Sequence, residues 1–217
     1  MRSSGPPLEV KVWGEYACFT RPEMKVERVS YPVMTPSAAR GVLEAIFWKP
    51  EFRWLVREIL VLRDIKFFSI LRNEVGNKAP ASPASHPYYA DEDRQQRHTL
   101  ALSDVAYIIR ADIQLTTRGA AEHPAKYRDQ FRRRVERGEC RHQPYLGCRE
   151  FSAFFSPPEG QERSITGYLT LGQILFDLDY RTSDGRATPR FFEAVLDNGV
   201  LRVPPQLYER RESHATG

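Results

Sequence analysis

Seven Lys/Arg residues lie between Lys126 and Arg141 against only Asp129, Glu136 and Glu139, a local excess equal to the +4 net charge of the whole chain. Guanidinium groups present planar, paired N–H donors that match phosphate oxygens. Charge concentrated on one element of an otherwise balanced chain is the pattern of a polyanion-binding surface. A merely solvated helix face is the competing reading. The acids here are too few to pair the arginines, which favours nucleic acid. Arg133, Arg134, Arg137 and Arg141, with His142 in the basic turn RHQPY, are the predicted phosphate contacts, giving affinity without much sequence reading. Trp48 and Tyr145 carry rings on which a base could stack, but buried packing is the expectation for both.

The rest of the composition narrows the class. A chain of 217 residues with 41% hydrophobic and 12% aromatic residues is globular and long enough for one domain or two small ones. A pI near 9.0 suits a local basic patch better than a uniformly cationic protein. The start MRSSGPPLEV has no apolar signal core, and no run approaches the ~18 apolar residues of a membrane helix. A soluble, cytoplasmic protein with no membrane partner is expected. Three cysteines, Cys18, Cys140 and Cys148, lack CxxC spacing. They predict ordinary reduced thiols, with neither a disulfide frame nor a metal site, and no cofactor.

The basic run needs elements to hold it. Leu8, Val10 and Val12 alternate with Glu9 and Lys11, which predicts a strand. Thr35-Pro36 supplies a cap and a first helical residue. Ala39, Val42, Leu43, Ile46 and Phe47 follow at helical spacing, and Pro50 ends that helix. Phe47 on this stripe is predicted core. Residues 59–71 read as β-rich, 76–98 as a long insertion without period, and 100–115 as strand again. A second helix starts at Pro124, carries Tyr127, Phe131 and Val135 on one stripe, and stops at Gly138. Residues 146–155 read as a strand. The order is β-α-β-β-α-β, predicting an α+β, ferredoxin-like (RRM-like) domain over 1–155. Residues 156–217 are expected to form a small β-rich domain. Within it, 167–180 reads as strand or hairpin, 189–196 as a short helix, Asn198-Gly199 as a tight turn and 209–217 as a disordered tail.

Four segments carry a resemblance. They are GEYACFTRPEMKVERVSYPVMTPSAARGVLEAIFWKP (14–50), RNEVG (72–76), RQQRHTLALSDVAYIIRA (94–111), and the run that opens PAKYRDQFRRR and reaches PYLGCREFSAFF. In this order they resemble the CRISPR-associated RAMP superfamily, and more narrowly its subtype I-C members that process precursor CRISPR RNA. The resemblance implies a prokaryotic, metal-independent endoribonuclease. Such a protein cuts the repeat hairpin and stays on the 5′ handle of the product within a surveillance complex of several subunits. A non-catalytic capping subunit of that complex is the alternative. Duplex DNA is a further ligand for the same surface.

The resemblance also implies a tyrosine, a lysine and a histidine at the scissile phosphate. The lysine is present as Lys126; Tyr127 stands where the histidine is expected, and Phe47 where the tyrosine is expected. Metal-free cleavage makes the 2′-hydroxyl attack its own 3′-phosphate, leaving a 2′,3′-cyclic phosphate and a 5′-hydroxyl. That step needs a base, an acid and positive charge on the phosphorane. Lys126 is expected to supply the charge or a proton. Tyr127 can take part, although its phenol has an unperturbed pKa of ~10 and its place on the apolar stripe makes packing an equal expectation. An unperturbed imidazole has a pKa of ~6.5, and His123 is the best base on chemical grounds. His142, His86 and His98 are alternatives that nothing in the sequence separates.

Overall fold

β1 (Leu8–Ala17) turns Leu8, Val10 and Val12 to one buried side and Glu9 to solvent, so its apolar face must be covered. The computed structural model describes residues 5–24, 26–75, 94–180 and 187–209, and within them the cover is helical. After the short β2 (Arg28–Val29), α1 (Pro36–Ile46) begins where expected: Thr35 Oγ1 accepts from the Ala38 amide and Pro36 holds the first helical position. It ends at Phe47, whose backbone is already extended (φ −149°, ψ 119°). β3 (Phe52–Val61) and β4 (Phe67–Val75) follow, so 59–71 is two strands and not one. β5 (Arg94–Leu115) is 22 residues long. It absorbs residues 94–98, which the sequence assigned to the insertion; 76–93 lie outside the described residues.

α2 (Pro124–Arg137) is capped by His123, has Pro124 in its first turn and ends at Gly138 in the left-handed region (φ 65°). The expected strand over 146–155 is only β6 (Phe154–Ser156). The segment before it is a tight bend, closed by the pairs Leu146 N to Phe151 O and Phe151 N to Cys148 O. Gly147 holds that bend with φ 86°, and a Cβ there would stand 2.1 Å from the Cys18 carbonyl oxygen. β7 (Tyr168–Asp179), β8 (Thr188–Asp197), β9 (Val200–Arg202) and α3 (Gln206–Glu209) complete the chain. The expected helix over 189–196 is strand β8 instead. Phe192, Ala194 and Leu196 are buried while Phe191 and Val195 are exposed, a period of two. Phe191, Phe192, Val195 and Leu196 imitate a helical stripe in the sequence alone. The Asn198-Gly199 turn is as expected, with positive φ at both residues joining β8 to β9. Glu209 closes α3, and 210–217 lie outside the described residues.

The strands form one sheet in the order β6-β1-β5-β3-β9-β8-β7, antiparallel along that path. β4 pairs with the first part of β5, Phe67 opposite Leu102 through Val75 opposite Arg94. β1 and β3 flank the rest of β5. α1 packs against both β3 and the far strand β7, so the sheet curls around that helix. A bulge at Arg57 shifts the register between Val56 and Glu58. It keeps Phe52, Trp54 and Val56 on the same buried side as Ile59 and Val61. An aromatic seam joins sheet and helices: Trp54 meets Phe131 of α2 at 4.8 Å, and its Nε1 donates to the Phe47 carbonyl at 3.0 Å.

Candidate active site and nucleic-acid interface

The start of α2 gathers the residues singled out for catalysis. His123 Nδ1 accepts from the Ala125 amide at 3.2 Å, so its ring caps the helix and the remaining proton belongs on Nε2. In this geometry His123 offers a donor; to take up a proton it must release the cap. Lys126 is exposed, with Nζ 2.8 Å from Glu122 Oε2 and 5.6 Å from the Tyr127 ring. That hydrogen bond to Glu122 is the main cause holding its ammonium above the ordinary lysine value.

Tyr127 is 3% exposed, its ring 5.1 Å from Phe52 and 6.5 Å from Phe47. Burial raises its phenol above the ordinary value; Glu122 and Glu51 push it further, and Lys126 opposes them. The phenol therefore keeps its proton at neutral pH and is a donor, not a base. Phe47 is buried as expected, and its ring packs beside that of Tyr127. Sequence reasoning missed Glu51, whose buried Oε2 has no hydrogen-bond partner, and Glu122, which holds Lys126. Acidic residues isolated in loops gave no spacing signal.

The basic run divides into three environments. Arg128 points inward: it is 5% exposed, donates to the Pro6 carbonyl and lies 3.8 Å from Asp112. Desolvation lowers its pKa. Lys126, Arg132 and Arg137 face Glu122, Asp129 and Glu139. Arg133, Arg134 and Arg141 have no carboxylate partner among the described residues. Arg133, Arg134 and Arg137 line one cavity of about 250 Å³ with Gln130 and Glu139. Arg134 also donates to the Ile46 carbonyl and lies 5.5 Å over the Phe47 ring. Arg141 is set apart, in an adjoining cavity of about 430 Å³ that Arg134 also lines. The amides of Arg141 and His142 both donate to Ala45 O, which pins this turn to α1. His142 is exposed there; His98 is exposed on β5 opposite Leu71, and His86 is outside the described residues. Burial of Trp48 and Tyr145 does not occur: they are 41% and 38% exposed. Trp48 follows Phe47 in extended backbone, so the two side chains leave on opposite sides and only Phe47 enters the core.

The three cysteines are free thiols as expected, and two of them meet. Cys148 Sγ accepts from Arg28 at 3.5 Å and is 3.8 Å from Thr20 Oγ1. The neighbouring Cys18 thiol is the main cause that brings Cys148 down to about 6, while the same contact and burial push Cys18 up. No helix among the described residues is long and apolar enough to cross a membrane.

A curled antiparallel sheet, two helices packed on it and an arginine-lined groove along the second helix define a mixed α/β protein with a basic surface. The profile described as CRISPR-associated protein (Cas_Cas5), of the Cas5d type, matches residues 7–204, and the chain belongs to that family. The CRISPR pre-crRNA endoribonuclease Cas5d of Thermus thermophilus is 50% identical over 230 aligned positions, covering 97% of this chain and 98% of the relative. The CRISPR pre-crRNA endoribonuclease Cas5d of Mannheimia succiniciproducens is 43% identical over 216, covering 91% and 95%. A crystal structure of a CRISPR-associated protein shares the fold at a TM-score of 0.69 and 23% identity, over 95% of this chain and 96% of that one.

Proposed function

We infer that the chain is an endoribonuclease that cuts precursor CRISPR RNA in the repeat hairpin. The observation that carries this is 50% identity along nearly the full length of a curated pre-crRNA endoribonuclease. The clustering of Lys126, Tyr127 and His123 at one helix start, beside unpaired arginines, supports it. The reaction is metal-independent transesterification by the substrate's 2′-hydroxyl. Lys126 steadies the phosphorane, protonated Tyr127 gives its proton to the leaving 5′-oxygen, and His123 serves the nucleophile once its cap is released. Arg133, Arg134, Arg137, Arg141 and His142 hold the flanking phosphates.

After cutting, the protein stays on the 5′ handle as a subunit of a surveillance complex in the prokaryotic cytoplasm, where the same surface also meets duplex DNA. The quartet β6-β1-β5-β3 with α1 and α2 is the ferredoxin-like unit of residues 1–155, and the strands after 156 form the small second unit. A capping-only role draws support from Phe47, which has no proton to give. Incubation with cognate repeat RNA in excess EDTA decides between them. Cutting at one phosphate, leaving a 2′,3′-cyclic end, is expected, together with loss of cutting but not of binding when that nucleotide is 2′-deoxy. No cutting with intact binding would leave the capping role; cutting of the deoxy substrate would replace the mechanism by hydrolysis.

A further inference from the structure

We propose that Trp48 and Arg141 form a stacking subsite for one unpaired nucleobase next to the repeat hairpin. The proposal rests on the endoribonuclease reading and adds to it a positioning contact for the single-stranded flank.

Arg141's guanidinium lies 5.2 Å from the centre of the Trp48 ring and covers one face of the indole. The residue nonetheless keeps 41% of its surface exposed, in a chain that buries Trp54 to 1%. The pair walls a cavity of about 430 Å³, within the ~300–1,000 Å³ usual for small-ligand sites. The backbone that carries Trp48 is restrained on both sides: Phe47 before it is anchored in the core, and Pro50 two residues on stiffens the chain. The backbone of Arg141 is fixed by its N–H, which donates to Ala45 O. A planar, electron-rich ring backed by a guanidinium fits a nucleobase, which stacks on aromatic and arginine planes without regard to sequence.

Arg134 shows where that base comes from. It lines both this cavity and the arginine groove of α2, so a strand whose phosphates lie along Arg133 and Arg137 runs into the Trp48 cavity. Bases inside a duplex are already stacked on each other and cannot reach an indole. The occupant is therefore a single-stranded nucleotide at the foot of the hairpin, with Lys49 and Arg134 beside its phosphate.

The test uses the full chain and the repeat hairpin, with and without each single-stranded flank, and with single abasic replacements along the flanks. Trp48→Ala is expected to weaken the flanked RNA roughly 5- to 150-fold, the value of one base–aromatic stack, and to leave the bare hairpin unchanged. Trp48→Phe should retain most of the affinity. At one flanking position an abasic residue should cost the wild type as much as Trp48→Ala, and cost that variant nothing further. Equal losses with and without flanks, or no position at which the two losses overlap, would overturn the subsite while normal cutting left the endoribonuclease reading intact. A wild-type protein that neither binds nor cuts the repeat would overturn both.

Discussion

Lys126 and Tyr127 are adjacent in sequence, yet α2 sends the ammonium to solvent and the ring into the core. The two positions therefore answer to different measurements. If Lys126 steadies the phosphorane, Lys126→Ala should lose about 10²–10³ in single-turnover rate with little change in RNA affinity. Equal falls in affinity and rate would make it one phosphate contact among many, and an unchanged rate at saturation would remove it from the site. Tyr127 gives a pH signature. Its folded-state pKa is raised, so the acid form is complete below the ordinary ~10 and is lost only as pH climbs through the raised value. Cutting that depends on this proton should stay level with pH across the neutral and mildly alkaline range. Tyr127→Phe should be slower by about 10²–10⁴ at every point of it. A rate that climbs with pH in the wild type and not in Tyr127→Phe would make the phenolate a base and reverse the assignment.

At the scale of the element, α2 is two helices in one: an apolar stripe of Tyr127, Phe131 and Val135 inside, and a row of arginines outside, the rungs proposed for phosphate. Arg133→Ala with Arg137→Ala removes two rungs without touching the stripe. Salt titration of RNA binding should then lose between about 1.4 and 1.8 units of slope, the release expected for two phosphate contacts. An unchanged slope would place the RNA on another surface. This helix was almost wholly legible in the sequence, because Pro124 and Gly138 fix its ends and the stripe fixes its face. β8 was not: two adjacent phenylalanines and a Val-Leu pair repeat at helical spacing, and only pairing with β7 and β9 decides for the strand. The bend before β6 was read as strand because its apolar residues suit one, whereas the Leu146 amide bonds back to Phe151 O across a turn and only its carbonyl meets a neighbour, the Cys18 amide. Trp48 was misjudged because aromatic type predicts burial, whereas one extended residue at the end of α1 reverses the direction of the next side chain.

For the molecule as a whole, the curl of the sheet brings β7 against α1, and one ion pair spans that contact. Arg40 donates to Asp177 at 2.7 Å and to Glu44 at 2.9 Å, and Asp177 is 3% exposed. Arg40→Met takes this guanidinium away from the buried Asp177 carboxylate, at a cost on the order of 3 kcal/mol. The corresponding fall in Tm is roughly 6–12 °C for a protein of this size. A change of less than about 2 °C would mean that the pair carries none of the contact between α1 and β7. Such long-range pairing was not legible: nothing in the spacing of residues 40 and 177 links them, and only the topology does.

β5 carries one more consequence, which concerns time. It is the shared partner of β1, β2, β3 and β4, and the ribosome makes it after all of them. β1 must wait from Leu8 to Ala111 for its first neighbour and until Phe154 for its second, while β3 gains its outer neighbour only when Arg202 has been made. Among the described residues the local pairings are β4–β5, β7–β8 and β8–β9. Synthesis thus leaves the outer edge of β3 open until the last tenth of the chain, the condition under which chains pair with one another. Ribosome-bound chains stopped before β9 should leave β3 open to protease, with protection arriving in one step once residue 202 clears the exit tunnel. Full protection of a chain stopped at Leu115 would show that β5 alone closes the fold.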